Sequence, residues 1–165
     1  MFAKRALFSS VAVIALVFGG GCPNAMDMSG GAESGGDTPT GANAFFASLS
    51  GDQEVPPVDV AATGTAALTL NDDETEVVLD ISASGFTVPV TMMHLHGGAL
   101  GENGSVILDL TDNLMDLGGG MVGATGSVAI SPEVISALRD GTVYLNMHTA
   151  DNPAGEIRGQ FGPPA

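Results

Sequence analysis

The sequence predicts an all-β domain with a Greek-key or immunoglobulin-like architecture, a sandwich or barrel of about eight strands with one short crossover helix. Short runs rich in β-forming residues recur from residue 44 onward, and clusters of turn-forming residues separate them. The run at 76–83 alternates apolar and polar side chains, which is the period of a strand with one buried face. Only one short segment has apolar residues at helical spacing.

The expected strands follow one another in chain order, and turn residues bound each of them. They span residues 44–50, 63–70, 76–83, 88–97, 105–110, 123–130, 142–149 and 155–161. Residues 71–74 join the second and third strands in a hairpin, and residues 151–154 do the same for the last two. Residues 111–122 include a run of consecutive glycines, and we expect them to form a loose loop.

The short helix is expected between the sixth and seventh strands. Ser131 suits the N-cap, Pro132 suits the first helical position, and Gly141 suits the C-terminal stop. The apolar residues of this segment share one face: Val134, Ile135 and Leu138. We therefore expect a crossover helix that packs its apolar face on the sheet.

The N-terminal segment, residues 1–21, has the pattern of a secretory signal peptide. Lys4 and Arg5 precede an apolar run at 6–18, and small residues follow before Cys22. The apolar run is shorter than the roughly 20 residues that a transmembrane helix needs. We therefore expect an exported protein from which this segment is removed.

Cys22 is the only cysteine, so no internal disulfide can form. Its position resembles the lipobox of bacterial lipoproteins, in which the cysteine is acylated and becomes the first mature residue. The sequence departs from that pattern at Gly19, where a leucine-like residue is usual, and ordinary cleavage near Gly21 with a free thiol is the alternative. Acyl chains on Cys22 would hold the protein to a lipid bilayer. Pro23, in place of aspartate, favours the outer membrane or cell surface over the inner membrane.

Residues 22–43 are rich in glycine, serine and threonine and contain almost no large apolar side chain. Such a segment cannot bury enough surface to offset its ordering entropy. We therefore expect a disordered tether between the lipid anchor and a domain at residues 44–165.

The chain is strongly acidic, with a formal net charge of −15 at pH 7. Beyond the signal segment only Arg139 and Arg158 are basic, whereas the chain has 19 acidic residues. Such a surface repels nucleic acid and anionic lipid headgroups, so no nucleic-acid partner is expected. We expect Arg158 to pair with Glu156, Glu54 or another acid.

The three histidines of the chain are the main candidates for chemistry. His94 and His96 are two residues apart on an expected strand, so they point to the same face. In the last two strands the same alternation brings further polar residues to the face opposite the core. If these strands are neighbours, one cluster forms on the outer face of the sheet: His94, His96, Asn146, His148, Glu156 and Arg158.

Three imidazoles on one sheet face suit Zn²⁺ or Cu²⁺. Glu156 can add a ligand or orient an imidazole from outside the coordination shell. The alternative is a hydrogen-bonded polar network that holds strands and loops in register, and spacing alone does not exclude it. The sequence contains neither a nucleophile elbow nor a phosphate-binding loop, so no catalytic residue is expected.

Five segments of the expected domain form a recognisable set of motifs: residues 46–57 (FASLSGDQEVPP), 94–98 (HLHGG), 101–104 (GENG), 144–149 (YLNMHT) and 153–160 (PAGEIRGQ). Together they resemble the CHRD domain, a family named after chordin. The segments occur in the order of the family's motifs and span nearly all of the expected domain. Glu54 is a motif acid, so the resemblance adds it to the polar network of Asn146, Glu156 and Arg158.

The resemblance implies a secreted binding or structural module and not an enzyme. CHRD domains occur in extracellular proteins of animals, where chordin binds growth factors of the bone morphogenetic type, and in bacterial secreted proteins of unassigned activity. The growth-factor role does not transfer to a bacterial lipoprotein, so the expected partner is an unknown extracellular or envelope protein.

A fainter likeness links the chain to copper/zinc superoxide dismutase, a Greek-key barrel with a His-x-His pair on one strand and another histidine on a late strand. The corresponding residues here are His94, His96 and His148. The chain lacks the further histidines and the cysteine pair of that enzyme. Dismutase activity is therefore not expected, and a lone copper site is the alternative that this likeness leaves open.

Overall fold

The computed structural model describes residues 43–162, which form nine β-strands, one α-helix and two single-turn 3-10 helices. The expected signal segment, Cys22 and the tether up to residue 42 lie outside the described residues, as do residues 163–165. The strands are β1 Ala44–Ser50, β2 Thr63–Leu70, β3 Glu76–Ser84, β4 Val90–Gly97, β5 Ser105–Asp109, β6 Leu114–Gly118, β7 Met121–Ala129, β8 Val143–Thr149 and β9 Ile157–Gln160. The helix α1 spans Pro132–Arg139, and the 3-10 helices span Gly51–Gln53 and Thr111–Asn113.

All strand pairs are antiparallel and belong to one sheet with the order β5-β4-β8-β9-β1-β2-β3-β7-β6. The 3-10 helix at Thr111–Asn113 contacts both β4 and β7, which lie near opposite ends of this order. The sheet must therefore curl to bring these two strands to the same helix. The predicted all-β fold of the sandwich or barrel type is confirmed. The described residues contain nine strands, one more than the sequence predicted.

The inner face of the curled sheet carries one hydrophobic core. In β3 the side chains of Val77, Leu79 and Ile81 are buried while Glu76 and Asp80 are exposed, as the alternation predicted. The core continues through fully buried side chains of other segments, among them Phe45, Leu68, Leu95, Leu145 and Phe161. Burying one such side chain contributes about 1.5–3 kcal/mol, so this face holds the curled sheet together.

The prediction of a loose loop at residues 111–122 is wrong, because this segment contains the strand β6, which pairs with β7. Residues 118–120 are glycines with positive φ angles of 79°, 63° and 74°; Gly118 ends β6, and Gly119 and Gly120 form the turn to β7. β6 is an edge strand whose side chains are mostly exposed. It therefore has no alternation of apolar residues that the sequence could reveal.

The helix α1 is confirmed at the predicted place, and its apolar face is buried. Ser131 has the extended backbone of an N-cap, although its side chain makes no capping hydrogen bond, and Gly141 follows the helix with a positive φ of 69°. Since β7 and β8 are not neighbours in the sheet, α1 belongs to a crossover connection, as predicted. No helix among the described residues is both long and apolar enough to span a membrane.

Candidate metal centre

Three neighbouring strands, β4, β8 and β9, position the polar cluster. In the register of β4 with β8, His94 lies opposite Asn146 and His96 lies opposite Tyr144. Asn146 lies in turn opposite Arg158 of β9. The alternate residues of these strands belong to the hydrophobic core, so the polar side chains share the other face of the sheet.

The cluster lies on the face opposite the core, as predicted, but loops cover this face and bury most of the cluster. No more than 5% of the residue surface is exposed for Asn146, His148, Glu156 and Arg158. Part of the cover is the loop at residues 98–104, where the carbonyl oxygen of Glu102 accepts a hydrogen bond from Arg158 Nη2 at 2.8 Å. Asn103 of this loop also donates to the carbonyl oxygen of Val55, which ties the loop to the segment after β1.

His94, His96 and His148, called here the three-histidine centre, converge above β4 and β8. One ring nitrogen of each histidine lies within 4.8 Å of those of the other two. The closest pair is His94 Nδ1 and His148 Nε2, which are 3.2 Å apart. Within the described residues no other histidine, cysteine, aspartate or glutamate joins this group. Three imidazole nitrogens at this spacing are the donor set that Zn²⁺ and Cu²⁺ prefer.

Backbone carbonyls orient two of the three rings. His96 Nδ1 lies 3.0 Å from the carbonyl oxygen of Gly104, and His148 Nδ1 lies 3.2 Å from that of Pro153. A carbonyl oxygen can only accept, so both Nδ1 atoms carry the proton and both Nε2 atoms keep a free lone pair. This is the arrangement by which neighbouring acceptors orient metal-binding histidines in proteins.

His94 is oriented from the edge strand β5. Its Nε2 lies 3.7 Å from Oδ1 of Asp109, the residue opposite it in the register. Hydrogen bonds from Thr111 hold the pKa of the Asp109 carboxyl below its ordinary value, so this group stays ionised and attracts a proton on Nε2. His94 Nδ1 is then the nitrogen directed at the other rings.

Burial keeps two of the imidazoles neutral at pH 7. Desolvation, assisted by the neighbouring His94, lowers the pKa of His148 to about 4. Desolvation also lowers the pKa of His96 from its ordinary value. The neutral imidazole is the form that binds a metal. His96 Nε2 is in addition buried with no hydrogen-bond partner among the described residues, which costs about 1–3 kcal/mol unless a ligand satisfies it.

Arg158 is held by Tyr144 and by the loop at residues 98–104. Its guanidinium carbon lies 3.5 Å from the centroid of the tyrosine ring. Its hydrogen bonds go to the carbonyl oxygens of Ala99 and Glu102 and to Oδ1 of Asn103. The predicted pairing of Arg158 with Glu156 or Glu54 is wrong, since in the part of the chain that the structure describes this guanidinium forms no salt bridge.

Tyr144 links Arg158 to the three-histidine centre. Its ring stacks on that of His96, with centroids 4.9 Å apart and planes at 10°. Its hydroxyl oxygen accepts a hydrogen bond from the backbone N–H of Gly104 at 3.1 Å. A Cβ at position 104 would lie 1.5 Å from the carbonyl oxygen of Gly97, so this close approach requires glycine. The sequence analysis assigned neither Tyr144 nor Gly104 to the site, although both lie in motif segments and alternation puts Tyr144 on the polar face.

The two motif acids occupy different places. Glu156 Oε2 accepts hydrogen bonds from the Thr149 hydroxyl and from Asn152 Nδ2, so it braces the turn between β8 and β9. Its predicted role as a metal ligand has no geometric support, because it lies outside the three-histidine centre. Glu54 is 6% exposed, and its Oε2 accepts a hydrogen bond from Asn146 Nδ2 at 3.4 Å.

A pocket of about 330 Å³ opens beside His96 and Tyr144. Its remaining walls come mostly from loop segments, at residues 54–58, 103–104 and 151–155. Two of its lining residues carry a buried oxygen that has no hydrogen-bond partner within the described chain, namely Glu54 Oε1 and Asn146 Oδ1. Sequence reasoning missed the pocket because these loops are distant along the chain.

Glu54→Gln is expected to stabilise the domain at pH 8 and to leave its stability unchanged near pH 4. Burial raises the pKa of Glu54 from 4.5 to about 7, although Arg158 and Asn146 act in the opposite direction. Between these values the folded state binds more protons than the unfolded state, so the free energy of unfolding falls as the pH rises. Glutamine should remove this loss, about 1 kcal/mol after allowance for solvent screening.

Urea unfolding of both proteins from pH 4 to pH 8, in the presence of EDTA, measures this difference. Contributions from the histidines cancel in the comparison because both proteins contain them. A difference in stability that stays constant over this pH range would contradict the assignment to Glu54.

A family model described as the CHRD domain matches residues 45–161. The matched range includes the three-histidine centre, Arg158 and all the residues that line the pocket. No curated protein and no solved structure matches the chain.

Proposed function

The chain belongs to the CHRD domain family, and from this premise we propose that it is an exported, non-catalytic binding module that holds one copper or zinc ion. The observation that carries the metal assignment is the convergence of His94, His96 and His148, each with one nitrogen within 4.8 Å of the others. The acceptors at the opposite nitrogens direct the free lone pairs toward one another. This geometry favours a metal centre over a purely structural polar network.

The unpartnered nitrogen of His96 separates these two alternatives. A structural network is stable when each buried polar atom has a partner, and His96 Nε2 has none among the described residues. An ion would satisfy this nitrogen and the two facing nitrogens of His94 and His148 together. The formal net charge of −15 also favours the approach of a cation.

The test is a titration of Cu²⁺ and Zn²⁺ into the untagged chain that begins at residue 22. Cys22→Ser in this protein removes the one thiol that could bind either metal. We expect about one ion per chain, and a free-ion concentration about 100-fold above the dissociation constant should stabilise the fold by about 2.7 kcal/mol. Isothermal titration calorimetry and thermal unfolding with and without EDTA measure both effects. Absence of stoichiometric binding would refute the metal assignment.

We further propose that acylated Cys22 anchors the protein to a lipid bilayer, in the outer membrane or at the cell surface. Its support is the sequence pattern that precedes Cys22 and the glycine-rich segment that follows it. In that position the domain would meet extracellular or envelope proteins, which are the expected class of partner for a secreted binding module.

Cys22→Ser should move the exported protein from the membrane fraction to the soluble fraction, because the acyl chains supply the membrane affinity. Met28→Ser, a change in the same acidic and glycine-rich segment, should leave it in the membrane fraction. Fractionation followed by mass spectrometry of the N-terminal peptide gives the location and the acylation state. A Cys22→Ser protein that has lost its signal segment and still remains with the membrane would argue against the anchor.

A further inference from the structure

We propose that the ion in the three-histidine centre keeps one coordination position open toward the adjacent pocket and holds an exchangeable water molecule there. This inference rests on the proposed metal binding. It would allow the centre to take up a small external ligand, which a structural site with a closed coordination shell does not do. The ligand count, the pocket and two unpaired acceptors support it.

The protein supplies three ligands and, within the described residues, no fourth. Glu156, the one carboxylate expected to contribute, is held by Thr149 and Asn152. Asp109 faces the far nitrogen of His94 and so orients the ring without reaching the ion. Zn²⁺ usually takes four ligands, and sites with three protein ligands hold solvent in the fourth position. The ion would therefore complete its coordination shell with water.

The pocket lies on the side of the centre where His96 is found. His96 lines the pocket, and its ligating atom is Nε2, because Nδ1 donates to the carbonyl oxygen of Gly104. The pocket volume of about 330 Å³ exceeds several times the volume of roughly 30 Å³ that one water occupies in the liquid. His96 is the ligand residue that lines this space, so solvent or a small ligand in the pocket would reach an ion on His96 Nε2 from this side.

Two unpaired acceptors in the pocket correspond to the two protons of a bound water. Glu54 Oε1 and Asn146 Oδ1 are buried and have no hydrogen-bond partner among the described residues. The residues that carry them, Glu54 and Asn146, are 6% and 3% exposed. Both oxygens lie within 2.6 Å of the position that a Cβ atom on residue 155 would occupy. They are therefore close enough to each other for one water to donate a hydrogen bond to each. A metal-bound water would satisfy both oxygens at once.

Electron–nuclear double resonance on the Cu²⁺ form of the untagged chain with Cys22→Ser tests the open position. We expect strongly coupled proton signals that disappear in D₂O, since the protons of a coordinated water exchange and lie closer to the copper than the exchangeable N–H protons on the far nitrogens of the imidazoles. Sodium azide should displace this water and produce a new charge-transfer absorption band. Copper binding at one equivalent with neither response would overturn the inference and leave the proposed metal binding intact.

Glu54→Gln tests the role of the acceptors, and Asp151→Asn is the matched control. In the glutamine variant the amide oxygen would take the hydrogen bond from Asn146, which turns the NH₂ group toward the pocket. At pH 8, where the Glu54 carboxylate of the unsubstituted protein is ionised, the water thereby loses an acceptor and azide meets less negative charge, so we expect azide to bind about tenfold more tightly to Glu54→Gln. Asp151 also lines the pocket but is exposed, so its replacement should change the azide affinity less than twofold.

The outcomes separate the two proposals. If no copper binds, the metal assignment and the open position both fail. If copper and azide bind but Glu54→Gln behaves like Asp151→Asn, the assignment of Glu54 as the acceptor is overturned. A water signal, an azide response and a shift specific to Glu54→Gln together establish the inference.

Discussion

Replacing Arg158 by methionine is expected to lower the free energy of unfolding by about 3–5 kcal/mol. Arg158 is 1% exposed, and its guanidinium donates to carbonyl oxygens of the loop at residues 98–104. Methionine of similar length fills much of the space, but the partly buried hydrogen bonds from the charged guanidinium to these carbonyl oxygens are lost, at about 1.5–3 kcal/mol for a well-formed one. The cation–π contact with Tyr144 is lost as well, and a desolvated contact of this kind is worth about 2 kcal/mol.

Some buried ion pairs can be replaced by apolar residues at little cost, because both partners are removed together. The acceptors of Arg158 are mainly backbone carbonyls of Ala99 and Glu102, which no substitution can remove. The loop that covers the polar face would then lose much of its attachment to β9. We therefore expect the free energy of unfolding to fall by about 3–5 kcal/mol and not to stay nearly unchanged. We also expect the three-histidine centre to become more exposed to solvent.

Arg139→Met is the matched control, because it removes the same charge from the same acidic domain. Arg139 forms a salt bridge with Glu74, and both side chains are more than 40% exposed. Exposed pairs of this kind contribute about 0.2–1 kcal/mol, so this variant should lose less than 1 kcal/mol. Urea unfolding at pH 7 in EDTA compares the two variants. Equal losses would show that net charge, and not the buried contacts of Arg158, sets the stability.

His148→Ala is expected to weaken Cu²⁺ or Zn²⁺ binding at least a hundredfold, which corresponds to about 2.7 kcal/mol. His148 is the most buried of the three ligands, its ring is held by the Pro153 carbonyl, and its Nε2 is free to bind. Removing it leaves two imidazoles, which is too few to displace most of the ion's water. The same loss is expected for His94→Ala and His96→Ala.

Two carboxylate variants give this prediction a graded control. Asp109→Asn should weaken binding about tenfold, because the carboxylate orients the His94 ring without touching the ion. Glu156→Gln should leave the affinity unchanged, because Glu156 braces the turn between β8 and β9 outside the centre. Calorimetric titration of folded protein, checked by circular dichroism, measures the series. Histidine variants with unaltered affinity would show that the centre is a structural network.

The strand pattern shows how far the fold is predictable from local sequence. The bounds of β1 and β2 agree with the prediction to the residue, because turn residues delimit both strands. β6 was missed because one of its edges and most of its side chains face solvent, so burial imposes no period on its sequence. The register of β4 with β8, which brings His94 opposite Asn146, arises from a pairing that no local pattern contains.

By itself, the sequence determined an all-β domain and the strand face on which His94, His96, Asn146, His148 and Arg158 lie, because alternation along a strand is a local property. The tertiary structure alone decided that Asn146, His148 and Arg158 on this face are buried, that backbone carbonyls hold Arg158, and that Glu156 belongs to a turn. The physical reason is that loops 40–60 residues away cover the face: Gly104 bonds to Tyr144 across 40 residues and Arg158 to Glu102 across 56. Such contacts depend on how the sheet curls, and the amino-acid composition of the loops does not reveal this curl.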